Sequence, residues 1–174
     1  MIVEVNSMSH FDRLASQWNS PAKKNFWTSL SNKKTYAFDS DSIERNLRSL
    51  LLETIHKGDI LPYLKMFSYE KNGISLAMSV FLARENFLIN KTIFEEVLWQ
   101  MPGRYPKSIQ DRKIMIELLR YAEKYARNNK INILSICRDP ELHNFTREAN
   151  TGINNYYTRN NFDATGIQYF KTLN

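Results

Sequence analysis

Residues 150–162 read NTGINNYYTRNNF, and this stretch decides how the whole chain is interpreted. It holds five asparagines and two adjacent tyrosines within the length of one helix. Asparagine forms helices poorly, because its side-chain amide competes for the hydrogen bonds of the backbone. So much amide and phenol in one short segment indicates that some of these side chains belong to a site.

The elements before this stretch predict a strand that follows a long helix. INILSIC (131–137) is an apolar run of strand length, typical of a strand covered on both faces. QDRKIMIELLRYAEKYARNN (110–129) has the strongest helical period in the chain. Its apolar face comprises Ile114, Leu118, Ala122 and Tyr125. Residues 141–160 then predict a helix, and GIQYFKTL (166–173) predicts a final strand.

The first hundred residues predict four strands and two helices. The strands fall at 2–5, 62–70, 74–83 and 91–100, the helices at 9–19 and 42–58, and a loop at 20–41. Asn72-Gly73 between two apolar runs indicates a hairpin. Asp41 and Glu44 form a candidate capping box for the second helix, and Gly58 ends it. The apolar face predicted for that helix comprises Ile43, Leu47, Leu50, Leu51 and Ile55.

Composition bounds the class of protein. The chain of 174 residues predicts one domain, residues 1–174, of α/β class with a mixed sheet and helices on it. One cysteine, no secretory leader and no apolar run of membrane-spanning length predict a cytoplasmic protein without a membrane partner. The net charge of +6 suits an anionic partner such as a coenzyme, a nucleotide or a nucleic acid.

The sequence lacks the motifs of several common kinds of binding and catalytic site. The sequence has no GxxxxGK[ST] loop and no G-x-G-x-x-G turn, so neither a P-loop nor a dinucleotide fingerprint is present. The three histidines, His10, His56 and His143, lie far apart without metal-ligand spacing, and we expect no metal site.

The segment from Asn150 resembles the helix after the fifth strand in the GNAT superfamily of acetyl-coenzyme A-dependent N-acetyltransferases. That helix reads N-x-x-A-x-x-x-Y-x-x-x-G-F, and Asn150, Ile153, Tyr157, Asn161 and Phe162 match it in register. Asn161 replaces the usual glycine, a mild change because asparagine also adopts the left-handed conformation. The resemblance covers the chain from Ile93 to its C-terminus.

The resemblance implies a fold, a substrate and a mechanism. It implies a mostly antiparallel sheet that splays between the strands near 93–100 and 131–137, with backbone N–H groups near 133–136 available to pantetheine. Acetyl-CoA would be the acyl donor and an unidentified amine the acceptor. Asn150 would bind the pantetheine arm, and Tyr157 would protonate the leaving thiolate. Glu95 or Glu96 would take the proton of the amine; because neighbouring strand residues face opposite sides, at most one points into the cleft. The alternative for this pair is a solvated position on an edge strand.

The pyrophosphate loop departs from the family pattern Q/R-x-x-G-x-G/A. The aligned residues run from Gln110 to Met115: Gln110 fits, Lys113 and Met115 fill the two glycine positions, and Asp111 adds a negative charge. One interpretation replaces the backbone cradle by charged and polar side chains. These are Arg104, Lys107, Ser108, Arg112 and Lys113, with Gln110.

The other interpretation is a blocked cradle and a catalytically inactive domain. The basic, glycine-poor segment before the long helix is similar to one in a small internal virion protein of short-tailed bacteriophages, which looks like a degenerate GNAT domain. This alternative predicts a virion component or a protein associated with nucleic acid, located inside a phage particle.

Overall fold

The order of elements follows the predicted order as far as the structure describes the chain. The computed structural model describes residues 1–18, 40–100, 109–136 and 159. In sequence, the elements are β1 (Ile2–Glu4), α1 (Met8–Trp18), α2 (Ser40–Lys57), β2 (Tyr63–Lys71), β3 (Ile74–Asn86), β4 (Lys91–Gln100), α3 (Ile109–Asn128) and β5 (Ile133–Ile136). Most of the predicted loop at 20–41, the last helix and the final strand lie outside these residues, apart from Arg159, which is helical and exposed.

The five strands form one mixed, mostly antiparallel sheet in the order β1-β2-β3-β4-β5. Every neighbouring pair is antiparallel except β4 and β5, which are parallel. The predicted hairpin joins β2 to β3: Asn72 and Gly73 both have positive φ angles, 52° and 74°, as a two-residue turn of this type requires. The predicted α/β fold class is therefore confirmed.

Helices cover the two faces of this sheet and create two cores. Because strand side chains alternate, β2 and β3 contribute to both. One core joins α1 and α2 to the sheet and contains Phe11, Leu14, Leu47, Leu51, Leu64, Met66, Met78 and Val80. The other lies under α3 and contains Phe67, Phe81, Phe94, Ile114, Leu118 and Ala122. The long helix therefore packs through the face that its period predicts.

Helix α2 differs from the prediction at two places. It begins at Ser40, so Asp41 lies inside the first turn rather than capping it. Ile55 is exposed, whereas Thr54 is buried. The Thr54 hydroxyl donates to the carbonyl of Leu50 (2.9 Å) and accepts the N–H of Leu64 (3.0 Å), so the helix is tied to β2 through a polar contact. Gly58 follows the helix with φ 74°, as predicted.

A charged cluster at the far end of β2 ties the first residues of the chain to the sheet. The carboxylate of Glu70 contacts His10 Nε2 at 2.6 Å and Arg13 Nη2 at 3.0 Å, and Arg13 also donates to the carbonyl of Gly73. Burial raises the pKa of Glu70, but the bonds from His10 and Arg13 outweigh it and hold the pKa below its usual value. The ionised carboxylate therefore stabilises the folded chain.

We expect this cluster to make the free energy of unfolding depend on pH. Because the folded pKa of Glu70 is depressed, its contribution is present above the unfolded pKa and is lost as pH falls through the folded value, in the region below about pH 5. Glu70→Gln should therefore destabilise the protein near pH 7, and the deficit should shrink in acid. Urea unfolding of both proteins at several pH values measures this difference in the free energy of unfolding.

Glu53→Gln is the matched control, because Glu53 pairs with Lys57 at 2.5 Å on the open surface of α2. Exposed pairs of this kind contribute about 0–1 kcal/mol. A deficit for Glu70→Gln that equals the control, or that stays constant from pH 7 to pH 4, would contradict the role given to the cluster.

Candidate functional site

The β4–α3–β5 unit carries those predicted site residues that the structure describes. Two parallel strands require a crossover, and α3 supplies it. Since α3 runs back against both strands, its first turn lies at the end of the sheet where β4 and β5 terminate. In α/β sheets, ligands bind preferentially outside the carboxyl ends of the strands. This end of β4, together with the start of α3, is the candidate site.

In the described part of the chain, β4 pairs with β5 over four positions. The register runs from Ile93 opposite Ile133 to Glu96 opposite Ile136. β4 then continues along β3 to Gln100, whereas the residues that follow Ile136 lie outside the described part of the chain. The expectation that backbone groups at 133–136 are open to pantetheine is corrected, because this stretch is paired with β4.

A β-bulge follows Glu96 in β4. Phe81 is opposite Glu96 while Val80 is opposite Leu98, which leaves Val97 as the extra residue. The Val97 side chain is half exposed. Bulges bend a strand and redirect its side chains, and they are frequent beside active sites. The bulge therefore bends β4 near its carboxyl end.

Glu95 and Glu96 lie on opposite faces of β4, as their alternation predicts. Glu95 faces the α1–α2 side, where its carboxylate accepts a bond from Arg84 Nε at 2.9 Å. Glu96 lies on the α3 side, in register with Phe81, and is only 5% exposed. The alternative of a solvated edge pair is wrong, because β4 is an interior strand and Glu96 is buried.

The first turn of α3 separates its charges by face. Gln110, Arg112 and Lys113 are exposed, whereas Asp111 is 1% exposed and Met115 is buried. The expectation that Asp111 adds negative charge where a phosphate would lie is corrected, because its side chain points into the fold. Of the two side chains expected to fill the cradle, only Lys113 faces solvent. The exposed side of this turn is therefore cationic, and the positive end of the helix dipole adds to it.

Five predicted site residues lie outside the described part of the chain: Arg104, Lys107, Ser108, Asn150 and Tyr157. Their roles stay predictions. The described part does bring Glu96, Gln110, Arg112 and Lys113 to the same end of the sheet, and it places Glu95 on the other face.

A polar cluster that the sequence did not indicate lies at the opposite end of α3. Lys65 Nζ contacts Asp59 Oδ1 at 2.8 Å and Glu4 Oε1 at 2.9 Å, and the Tyr125 hydroxyl donates to Asp59 Oδ2 at 2.8 Å. Burial raises the pKa of Tyr125, and its bonds with Tyr63 and Asp59 raise it further. Burial lowers the pKa of Lys65, but Asp59 and Glu4 outweigh it and raise the pKa. The cluster connects the last turns of α3 to β1 and β2.

Two searches of the described residues bear on other classes of site. No group of three or more His, Cys, Asp or Glu side chains is arranged to hold a metal ion in that part of the chain. None of the helices described there is long and apolar enough to cross a membrane.

Comparison with known proteins relates the chain to acetyltransferases through its fold. No protein-family model matches the sequence, and no curated protein does. Among solved structures, AAC(6')-Iy in complex with the bisubstrate analogue CoA-S-monomethyl-acetylneamine matches with a TM-score of 0.61 at 12% identity. The match covers 100% of this chain and 97% of that one.

Two further structures give the same result. A predicted acetyltransferase from Clostridium acetobutylicum, with acetyl-CoA, matches with a TM-score of 0.59 at 15% identity, covering 100% of this chain and 96% of that chain. A GNAT family acetyltransferase from Staphylococcus aureus matches with a TM-score of 0.56 at 9% identity, covering 99% and 98%. The chain therefore has the fold of these acetyltransferases.

Proposed function

We propose that the chain is a single GNAT-like domain that transfers an acyl group, most simply acetyl, from coenzyme A to an amine. The observation that carries the proposal is the β4–α3–β5 unit. It combines a bulged strand, a buried glutamate and an exposed cationic helix start in a fold shared with structures that hold coenzyme A or acetyl-CoA.

The exposed cations of α3 fit an anionic coenzyme. Arg112 and Lys113 face solvent in the first turn, and the inward orientation of Asp111 removes a repulsive charge from that surface. Gln110 beside them offers an amide, and Arg104, Lys107 and Ser108 precede the helix in the sequence. Charge-assisted bonds from these side chains would hold the pyrophosphate and the 3′-phosphate. Asn150 would bind the pantetheine amides.

The chemistry is direct attack on the thioester. The amine nitrogen forms a bond to the acyl carbon, the carbon–sulfur bond breaks, and the sulfur leaves with the electron pair. A carboxylate takes the proton from the amine, and the Tyr157 hydroxyl gives a proton to the thiolate. Glu96 is the better placed of the two glutamates for the first task, because it lies on the face of the sheet that α3 covers, whereas Glu95 lies on the other face. Holding donor and acceptor together in one complex supplies much of the rate.

The net charge of the chain limits which kinds of amine fit as the acceptor. AAC(6')-Iy is an aminoglycoside N-acetyltransferase, and aminoglycosides carry several positive charges. A net charge of +6 disfavours such an acceptor here. We therefore propose a neutral or acidic amine, including one linked to a nucleotide.

The inactive alternative, a virion component or a nucleic-acid-associated protein, rests on Lys113 at a position where the family has glycine. Met115, at the other position where the family has a small residue, is buried. The same measurement separates the two functions. Calorimetric titration with acetyl-CoA should give micromolar binding, whereas an absence of heat at millimolar ligand would favour the inactive protein.

Arg112→Ala and Lys113→Ala should each weaken acetyl-CoA binding roughly tenfold to a hundredfold. A hydrogen bond to a charged group contributes about 1.5–3 kcal/mol, and about 1.4 kcal/mol corresponds to a factor of ten. Raising the salt concentration should weaken binding as well, because both side chains are exposed. Calorimetry at two ionic strengths measures both effects.

Lys124→Ala is the control, since Lys124 is an exposed cation near the other end of α3. It should leave coenzyme affinity unchanged. Tight binding that is insensitive to salt and to both first-turn substitutions would show that the coenzyme does not lie at the start of α3.

A further inference from the structure

The turn between β3 and β4 presents three consecutive apolar side chains to solvent. Phe87 is 88% exposed, Leu88 is 78% exposed, and Ile89 is half exposed. Hairpin turns are normally polar, and a run of exposed apolar residues is unfavourable unless it has a function. We call the residues 87–89 the apolar tip. It lies at the end of the sheet opposite the proposed acyl-transfer site, so that site does not account for it.

The backbone holds the apolar tip in one conformation. The Asn86 side chain accepts the N–H of Leu88 (3.0 Å), the Asn86 carbonyl accepts the N–H of Ile89 (3.3 Å), and Asn90 closes the turn with φ 49°. The strands beneath it extend past their neighbour, since β2 begins opposite Ala83 and β3 continues to Asn86. The tip is therefore a convex, preorganised projection rather than a groove.

Lysines flank the projection. Lys91 begins β4, and the N–H of the next residue, Thr92, donates to Asn132 Oδ1 at 3.1 Å, which brings Lys130 and its loop to the base of the hairpin. Lys91 and Lys130 are exposed, and neither forms a salt bridge with a residue that the structure describes. Glu85, near the end of β3, is an exposed acidic residue on the same hairpin. The basic flank is complementary to a negatively charged surface.

We propose that the apolar tip inserts into the interface of an anionic lipid bilayer, with Lys91 and Lys130 against the headgroups. Apolar side chains combined with cations on one surface are the pattern of proteins that lie on such membranes, and basic residues near an anionic surface are attracted to it. The sequence predicts no membrane partner because it has no apolar run long enough to span a bilayer. A loop that enters only the interface needs no such run. A second copy of the chain fits less well, because a stable interface engages about 20–30 residues on each side.

Sedimentation of the full chain with vesicles tests the proposal. We expect binding to vesicles of phosphatidylserine and phosphatidylcholine, and at least tenfold weaker binding to phosphatidylcholine alone. The double variant F87S/L88S should weaken binding to the mixed vesicles at least tenfold. Ile74→Ser is the matched control, because Ile74 is also an exposed apolar residue, 57% exposed, but lies at the β2–β3 turn at the other end of the sheet. It should bind as the unchanged protein does.

Two charge-reversal variants, one at the tip and one elsewhere, complete the experiment. K91E/K130E should weaken binding to the mixed vesicles and leave binding to phosphatidylcholine unchanged, whereas Lys71→Glu, beside the β2–β3 turn, should change neither. The proposal is overturned if the unchanged protein does not bind vesicles at millimolar lipid. It is overturned too if F87S/L88S binds them as tightly as Ile74→Ser does. It is also overturned if sedimentation equilibrium finds a dimer that F87S/L88S abolishes, since the occupant would then be a second copy.

Discussion

Phe67→Ala should reduce the free energy of unfolding by about 3–5 kcal/mol, the range for removing a buried phenylalanine side chain. Phe67 is fully buried under α3. Its ring centroid lies 5.1 Å from that of Tyr121, 5.6 Å from Tyr125, 6.0 Å from Phe81 and 6.4 Å from Phe94. The substitution therefore removes apolar burial and four aromatic contacts, and it leaves a cavity between the sheet and the helix.

A loss of this size is a large fraction of the 5–15 kcal/mol that stabilises a typical domain. Urea unfolding measures it through the midpoint and slope of the transition. Phe87→Ala is the control, because it makes the same chemical change at an exposed position and should alter stability by no more than about 0.5 kcal/mol. Equal effects of the two substitutions would mean that α3 does not pack on Phe67 as described.

Local patterns predicted most of the fold because their causes are local. The Asn72-Gly73 turn follows from the positive φ angles that those two residue types accept, and the length of α3 follows from its 3.6-residue period. The period also carried a signal that was missed. Asp111 lies three residues before Ile114, on the buried face of the same helix, so its inward orientation could have been inferred from the sequence.

Other features depend on contacts between distant residues, which no local pattern contains. Thr54 is buried in place of Ile55 because its hydroxyl meets the N–H of Leu64 on β2. Tyr125 was assigned to the apolar face of α3, yet its hydroxyl bonds Asp59, which lies 66 residues away in the sequence. The bulge at Val97 likewise follows from the register of β4 against β3.

The features of the candidate site likewise include some with local causes and some that depend on contacts between distant residues. The alternation of Glu95 and Glu96 was predictable from the strand, but which of them is buried was not, because it depends on where α3 packs. The exposure of Arg112 and Lys113 follows from the helix period once the buried face is known. The roles of Asn150 and Tyr157 rest on the resemblance of their segment to one helix of the GNAT superfamily, and experiments on these residues are therefore the most informative.

Tyr157→Phe should lower the rate of acyl transfer by roughly 10²–10⁴, the usual contribution of a positioned general acid. The substitution removes one hydroxyl and keeps the ring, so coenzyme affinity should stay the same while turnover falls. That combination identifies a proton donor to the leaving thiolate rather than a binding residue. Release of the coenzyme A thiol, followed with the amine that gives the fastest turnover in a panel of neutral and acidic amines, measures the rate.

Tyr156→Phe is the control that the chain itself offers. In the predicted helix, neighbouring residues are about 100° apart around the axis, so Tyr156 and Tyr157 cannot both face the thioester. We expect Tyr156→Phe to retain turnover within a few-fold. If the two variants lose turnover equally, or if Tyr157→Phe loses none, the register between residues 150–162 and the family helix is wrong. If turnover falls only together with coenzyme affinity, Tyr157 holds the coenzyme instead, and the proton for the thiolate comes from another group.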